Sequence, residues 1–92
     1  MQIIKFKSEL SEPEILRIAE ERKPLFSEVP GLIQKSYVVK QEDEMYGGVY
    51  LWESQEALQA FRSSELAKSI PTSYKIMGTP SVELMEVKFQ LR

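Results

Sequence analysis

Apolar and polar residues alternate with a period of two in four stretches of the chain, a pattern that is typical of β-strands. It predicts strands over residues 2–7, 32–40, 45–52 and 81–91. The third stretch has no polar face, which indicates a central strand that is covered on both sides. The sheet therefore needs an apolar neighbour on each of its faces.

Two stretches between these strands repeat apolar residues with a helical period. The first opens at residues 11–14, whose sequence SEPE is a capping box that satisfies the free amides of a helix start. We expect Pro24 to kink this helix or to end it before a fresh short turn, because proline removes an amide and crowds the preceding turn. The second helix begins after Ser54, a predicted N-cap, and residues 63–64 indicate a break between its halves.

Residues 71–80 have no clear period and contain a glycine and two prolines, so we expect a loop here. The turn residues 78–80 lead the chain into its last strand. The resulting order, β-α-β-β-α-β, is that of a ferredoxin-like α+β fold, an antiparallel sheet with two helices on one face. We expect one domain over residues 1–92.

The face of this sheet that carries no helices needs a cover, and a chain of 92 residues has no third layer to supply it. The simplest arrangement packs two copies sheet against sheet across a twofold axis. We therefore expect a homodimer, a dimeric α+β barrel.

Composition removes several classes of chemistry. The chain contains no cysteine and no histidine, which excludes thiolate nucleophiles, zinc–thiolate and iron–sulfur sites, histidine-ligated haem and any catalytic pair built on histidine. We expect no metal and no cofactor. The net charge is −2 and no basic stretch is present, so nucleic acid is not an expected partner. No segment resembles a signal peptide or a membrane span, so we expect no membrane partner and a cytoplasmic location.

Three segments carry a resemblance to a known family: residues 30–37, the GGVYLWES sequence at 47–54, and Gly78 with Val82 and Glu83. Together they resemble the ydhR-type monooxygenases, which belong with the antibiotic-biosynthesis monooxygenases to the dimeric α+β barrel group. The resemblance implies a pocket in each subunit between the sheet and its helices. It also implies oxygenation of electron-rich aromatic substrates without flavin, haem or metal.

Seven residues are candidates for lining such a pocket, although none is assigned as catalytic. Lys35 points from a strand toward the core, where it either stabilises a substrate anion or reaches out to water. The strand aromatics either orient a flat substrate or only fill the core. Tyr74 is either a lid or a surface plug in its loop, and Arg62 either closes the pocket or is exposed. The candidates are Lys35, Tyr37, Tyr50, Trp52, Phe61, Arg62 and Tyr74.

The adjacent glycines 47 and 48 are not followed by the lysine and serine of a phosphate loop, so we interpret them as a bulge or a site of close packing. The leading hypothesis is a monooxygenase-like protein that acts without a cofactor on a small aromatic or lipophilic substrate. The alternatives are a non-catalytic protein that binds such a molecule, or a stress-responsive dimeric barrel in which the cavity is filled.

Overall fold

The computed structural model of the protein describes residues 1–91. The elements follow the order β-α-β-β-α-α-β, so the predicted ferredoxin-like α+β fold is confirmed, with its second helix divided in two. The strands are β1 (Gln2–Ser8), β2 (Leu32–Lys40), β3 (Met45–Trp52) and β4 (Ile76–Leu84), and the helices are α1 (Glu12–Ser27), α2 (Gln55–Arg62) and α3 (Glu65–Ser73).

The four strands form one antiparallel sheet in the order β2-β3-β1-β4. β3 lies between two neighbours, as predicted from its two apolar faces. On β3 the side chains at alternate positions, Tyr46, Tyr50 and Trp52, are buried. They belong to the core cluster that includes Phe26 of α1 and Phe61 of α2. The core therefore lies between one face of the sheet and the helices.

Helix α1 begins at the predicted capping box, where the amide of Ser11 donates to the Glu14 carboxylate over 3.3 Å. Of the two expectations for Pro24, the fresh short turn is absent, because the helix continues without interruption to Ser27. Pro24 is exposed on the helix surface, so water can satisfy the carbonyl that the proline leaves free. Phe26 in the following turn is buried and holds the end of the helix against the core.

The predicted N-cap at Ser54 and the predicted break at residues 63–64 are confirmed. The Ser54 hydroxyl accepts a hydrogen bond from the amide of Ala57 at the start of α2. The Ser64 hydroxyl accepts from the amide of Ala67 and begins α3 as a separate helix. The break at residues 63–64 is thus a true helix start.

The C-terminal part differs from the prediction. Residues 71–80 do not form a loop, because α3 extends to Ser73 and β4 begins at Ile76. The turn signals at 78–80 form a bulge instead: β4 pairs Met77 with Lys7 and Ser81 with Lys5, so three residues lie opposite Phe6 alone. Gly78 takes φ +71° there. An edge strand such as β4 accommodates a proline and a bulge, because only one of its sides is hydrogen bonded.

The sheet face opposite the helices is partly apolar and open in the single chain. Ile3, Val49 and Leu51 at its centre are half-buried, while Val38 and Met77 are exposed. β4 ends at Leu84, so the strand predicted to reach residue 91 stops early. Residues 85–91 form no regular element, and their apolar side chains are exposed: Met85, Val87, Phe89 and Leu91.

Candidate functional site

Lys35 lies on β2 opposite Tyr50 of β3, on the face of the sheet that packs against the helices. Its amino nitrogen is 3.3 Å from the ring centre of Phe26, 4.5 Å from that of Tyr37 and 4.9 Å from that of Tyr50. The alternation along β2 directs this side chain inward, and the last turn of α1 supplies the Phe26 ring. The amino group therefore lies against three aromatic rings.

The amino group of Lys35 has no carboxylate partner among residues 1–91. Burial, and secondarily the positive charge of Arg22, lowers the pKa of Lys35 from 10.5 to about 7. The faces of the three rings favour the ammonium form and oppose part of this shift. The amine consequently loses its proton much more readily than an exposed lysine does.

Arg22 of α1 brings a second positive charge to the site. Its guanidinium donates to the hydroxyls of Ser69 and Ser73 on α3 over 2.7 and 2.8 Å, and lies 5.8 Å from the ring centre of Phe26. No acidic side chain of the described chain forms an ion pair with it. Arg22 thus connects α1 to α3 and leaves its charge free to act on the interior.

Three tyrosines line the same cavity as Lys35 and remain protonated at neutral pH. Burial is the main cause of a raised pKa in each of them. It raises the pKa of Tyr37 and of Tyr50, and it raises the pKa of Tyr74 to about 12. The Tyr74 hydroxyl is buried with no hydrogen-bond partner within residues 1–91. These phenols can therefore donate hydrogen bonds to a ligand but do not act as anions.

Tyr74 is neither a lid nor a surface plug, contrary to its expected position in a loop. It follows α3 directly, is only 4% exposed, and its ring centre lies 5.6 Å from that of Phe6. The prediction failed because the proline at 71 was interpreted as a helix end, whereas α3 runs through it.

A cavity of about 30 Å³ lies beside these groups, with Lys35, Tyr37, Tyr50 and Tyr74 among its lining residues. This volume holds about one or two water molecules and no aromatic ring. Lys35 and Tyr37 also line a groove of about 310 Å³, together with Lys23 and Phe26 of α1 and Ile33 of β2. The lysine amine thus belongs both to a surface groove and to the small cavity behind it.

Trp52, Phe61 and Arg62 lie outside this cavity. The Trp52 ring stacks on Tyr50 at 6.1 Å with an interplanar angle of 3°, and its indole N–H donates to the buried Gln2 side chain over 3.1 Å. Phe61 packs in the core 5.2 Å from Trp52, and Arg62 is exposed at the end of α2. The structure therefore places Lys35, Tyr37, Tyr50 and Tyr74 around one cavity, while Trp52 and Phe61 contact Tyr50 from outside it.

The two adjacent glycines of β3 confirm the prediction of close packing. A Cβ atom at Gly48 would lie 3.0 Å from the Tyr50 ring and 3.3 Å from Cε of Lys35. A Cβ at Gly47 would lie 2.2 Å from the carbonyl oxygen of Ile4 on β1. Gly48 therefore makes room for the lysine arm, while Gly47 lets two strands approach.

Two residues of the site, Arg22 and Phe26, were not among the sequence candidates. Phe26 belongs to the apolar stripe of α1, where its pattern is that of any core residue. A signal for Arg22 exists in the spacing of Ser69 and Ser73, which lie one helical turn apart and offer two hydroxyls on one face. It becomes informative only when α1 is known to pack beside α3.

Within residues 1–91 no group of three or more acidic side chains is arranged to hold a metal ion. No helix of the described chain has both the length and the apolar character needed to cross a membrane.

The fold and this site define a class: a small ferredoxin-like α+β protein with an aromatic-lined cavity that bears a lysine amine. Residues 2–86 match the model of the family described as "Putative mono-oxygenase ydhR". The chain belongs to this ydhR family. No curated protein sequence matches the chain.

Solved structures with the same fold come from the antibiotic-biosynthesis monooxygenases. SnoaB, a cofactor-independent oxygenase from Streptomyces nogalater, superposes with a TM-score of 0.76 at 14% identity, over 98% of this chain and 93% of its own. The ActVA-Orf6 monooxygenase of Streptomyces coelicolor, in complex with nanaomycin D, superposes with a TM-score of 0.74 at 16% identity, over 99% of this chain and 88% of its own. A protein described as a "Putative antibiotic biosynthesis monooxygenase" from Bordetella bronchiseptica superposes with a TM-score of 0.76 at 18% identity, over 94% of each chain. At these identities the similarity shows the fold.

Proposed function

We propose that the protein is a monooxygenase that needs no cofactor and oxidises a small electron-rich aromatic compound beside Lys35. The observation that supports this most is the unpaired amine that contacts three aromatic rings where the groove meets the cavity. The overall reaction turns an activated methylene group and dioxygen into a ketone and water. One oxygen atom enters the substrate and the other leaves as water.

The lysine amine supplies the first step. In its neutral form it accepts a proton from an acidic C–H or phenol of the substrate, which leaves an electron-rich anion. The ammonium that forms then lies next to this anion and stabilises it, and the charge of Arg22 acts in the same direction. The anion reacts directly with dioxygen, because its electrons replace those that a cofactor would provide.

The sizes of the two spaces assign them different roles. The aromatic ring of the substrate fits the groove of about 310 Å³, where the half-buried Tyr37 ring and the exposed Ile33 side chain offer apolar surface. The cavity of about 30 Å³ accepts dioxygen or the water that is released. The substrate therefore lies on the surface side of Lys35 rather than deep between the sheet and the helices.

The comparisons support the same chemistry by analogy. SnoaB is a cofactor-independent oxygenase, and ActVA-Orf6 was crystallised with an aromatic ligand, nanaomycin D. A second candidate function is non-catalytic binding of an aromatic or lipophilic molecule. One observation favours it: the indole N–H of Trp52 is already bonded to Gln2 and is not free to orient a substrate.

We also propose that the protein acts as a homodimer in the cytoplasm, as a single domain. The open sheet face carries Ile3, Val49 and Leu51 at its centre, and the exposed tail 85–91 places its apolar residues at alternate positions, as a strand without a neighbour does. A second copy of the chain would cover both surfaces. The Phe89 side chain, 88% exposed in one copy, would then be buried.

Oxygen uptake tests the proposed function. Purified protein is mixed with anthrone or with 1,8-dihydroxyanthrone, each of which has an activated methylene group, and dioxygen consumption is followed with an electrode while the anthraquinone product is identified by mass. We expect turnover that is lost in Lys35→Met and retained in Lys68→Met, a variant of an exposed lysine on α3 that does not line the groove. Saturable binding of these compounds without uptake would support the binding protein instead. Uptake that is equal in both variants would refute the role of Lys35.

A further inference from the structure

Two lysines line the surface groove, and their surroundings differ. Lys23 is exposed on α1, and its amine lies 3.5 Å from the Glu20 carboxylate. The amine of Lys35 has no acidic partner within residues 1–91 and contacts only ring faces. One groove thus holds an ordinary lysine and an unusual one.

The surroundings of Lys35 favour the nucleophilic form of an amine. An ammonium ion has no lone pair and cannot attack carbon, so reactivity requires loss of the proton. Burial and the nearby Arg22 disfavour the charge, and no carboxylate restores it. The groove offers the half-buried Tyr37 ring and the exposed Ile33 side chain as surfaces for a flat partner.

We propose that Lys35 forms an imine with aromatic aldehydes and ketones that enter the groove between α1 and β2. The Nζ lone pair attacks the carbonyl carbon and forms a C–N bond, the carbonyl π bond breaks, and one proton passes from the nitrogen to the carbonyl oxygen to give a carbinolamine. Loss of a nitrogen proton and of the hydroxyl group as water then gives the C=N bond. Amine and carbonyl compound become imine and water, with no oxidant or reductant consumed.

The remaining groups of the site suit these steps. The Tyr37 ring lies 4.5 Å from the amine, and its phenol remains protonated at neutral pH, so it can donate to the departing oxygen. The cavity behind Lys35 has room for the released water. Gly48 leaves the space in which the lysine arm can move, because a Cβ there would approach its Cε to 3.3 Å.

The inference goes beyond the oxygenase proposal and does not depend on it. Imine formation needs the amine, the groove and the carbonyl compound, and dioxygen has no part in it. The two proposals can therefore fail separately. Imine formation at Lys35 without oxygen uptake would refute only the oxygenase, and oxygen uptake without imine formation would refute only the present inference.

Trapping of the imine tests the inference. The full-length protein is incubated with 2-naphthaldehyde and sodium cyanoborohydride near neutral pH, and the reduced adducts are located by peptide mass mapping over time. We expect Lys35 to be modified at least about tenfold faster than Lys23, because an ordinary lysine is almost wholly protonated at this pH. The α-amino group of Met1 is also a primary amine that can react with the aldehyde, and its adduct is counted separately.

The comparison of two lysines within one wild-type chain needs no variant, so a folding defect cannot obscure it. In urea-unfolded protein the two lysines should react at similar rates. Lys35→Arg keeps a positive charge and should lose the fast adduct, whereas Lys68→Met, a variant of an exposed lysine on α3 outside the groove, should keep it. Modification of Lys35 in the folded protein at the rate of Lys23, or more slowly, would overturn the inference.

Discussion

At the scale of single residues, Lys35 is the side chain whose position is hardest to explain by packing. A charged amine that leaves water without an acidic partner destabilises the folded state, and ring faces compensate for only part of that. The strand alternation predicts that this side chain points inward. The rings that surround it depend on how α1 crosses the sheet, which periodicity does not encode.

The lowered pKa of Lys35 makes stability depend on pH. Between about pH 7 and pH 10 the unfolded chain holds the Lys35 proton more tightly than the folded one, so the free energy of unfolding rises with pH. Lys35→Met should abolish this rise and be more stable than the wild type near pH 7, by on the order of 2–4 kcal/mol. Urea denaturation of both proteins from about pH 6.5 to 9.5 measures the difference, below the range in which tyrosines titrate. Parallel curves would contradict the buried amine.

The two glycines of β3 should respond differently to a methyl group. Gly47→Ala places Cβ against the backbone oxygen of Ile4, which cannot move without separating β1 from β3, so we expect a loss of about 3 kcal/mol or more. Gly48→Ala meets the ends of the Tyr50 and Lys35 side chains, which can shift, so the loss should be about 1 kcal/mol. The urea denaturation midpoints of the two variants measure these losses of stability. A larger loss in Gly48→Ala than in Gly47→Ala would refute this packing.

At the scale of elements, the sequence predicts β2 and β3 with the bounds that the structure has. It also predicts the N-cap at Ser54 and the break at residues 63–64. The residues of these elements, and of the turns beside them, allow only one interpretation. The glycine and proline at residues 78–80 allow two, because these residue types suit a bulge in an edge strand as well as a turn. Tyr74 was misplaced for a different reason: α3 continues through Pro71, so the sequence predicts a lid or a surface plug where the fold has a buried ring.

The separation of α2 from α3 depends on one serine. Ser64→Ala removes the hydroxyl that accepts from the amide of Ala67, and we expect a loss of about 1 kcal/mol. Its exposed neighbour Ser63 provides the matched control, since Ser63→Ala should change the stability by only a few tenths of a kcal/mol. Thermal denaturation of both variants measures the two values. Equal losses would show that Ser64 does not act as a cap.

At the scale of the whole molecule, one copy leaves too much apolar surface open. The centre of the uncovered sheet face and the side chains of residues 85–91 point to solvent in a chain that is otherwise well buried on its helical side. Dimerisation is the proposed cover. The two apolar faces of β3 predict the need for such a cover. Residues 85–91 add a second apolar surface, which the sequence pattern alone assigned to the last strand.

Charge on the open face should prevent the dimer. Val49 lies at the centre of that face, paired with Ile3 and Ser36, so Val49→Lys would place an ammonium in the interface and yield monomers. Gln59→Lys adds the same charge on the exposed side of α2 and should leave the dimer intact. Sedimentation velocity at micromolar concentration distinguishes these cases. A wild type that sediments as a monomer would refute the proposed assembly.

Both functional proposals require that Lys35 carries an amine that is easily deprotonated in the folded protein. NMR spectroscopy of ¹³C-labelled protein measures this directly, because the Cε resonance of each lysine shifts when its amine loses a proton. We expect one lysine resonance, absent in Lys35→Met, to titrate well below 10.5 and toward the pKa of about 7. If every lysine titrates at the ordinary value, the amine is solvated and charged, and the proposed site is wrong.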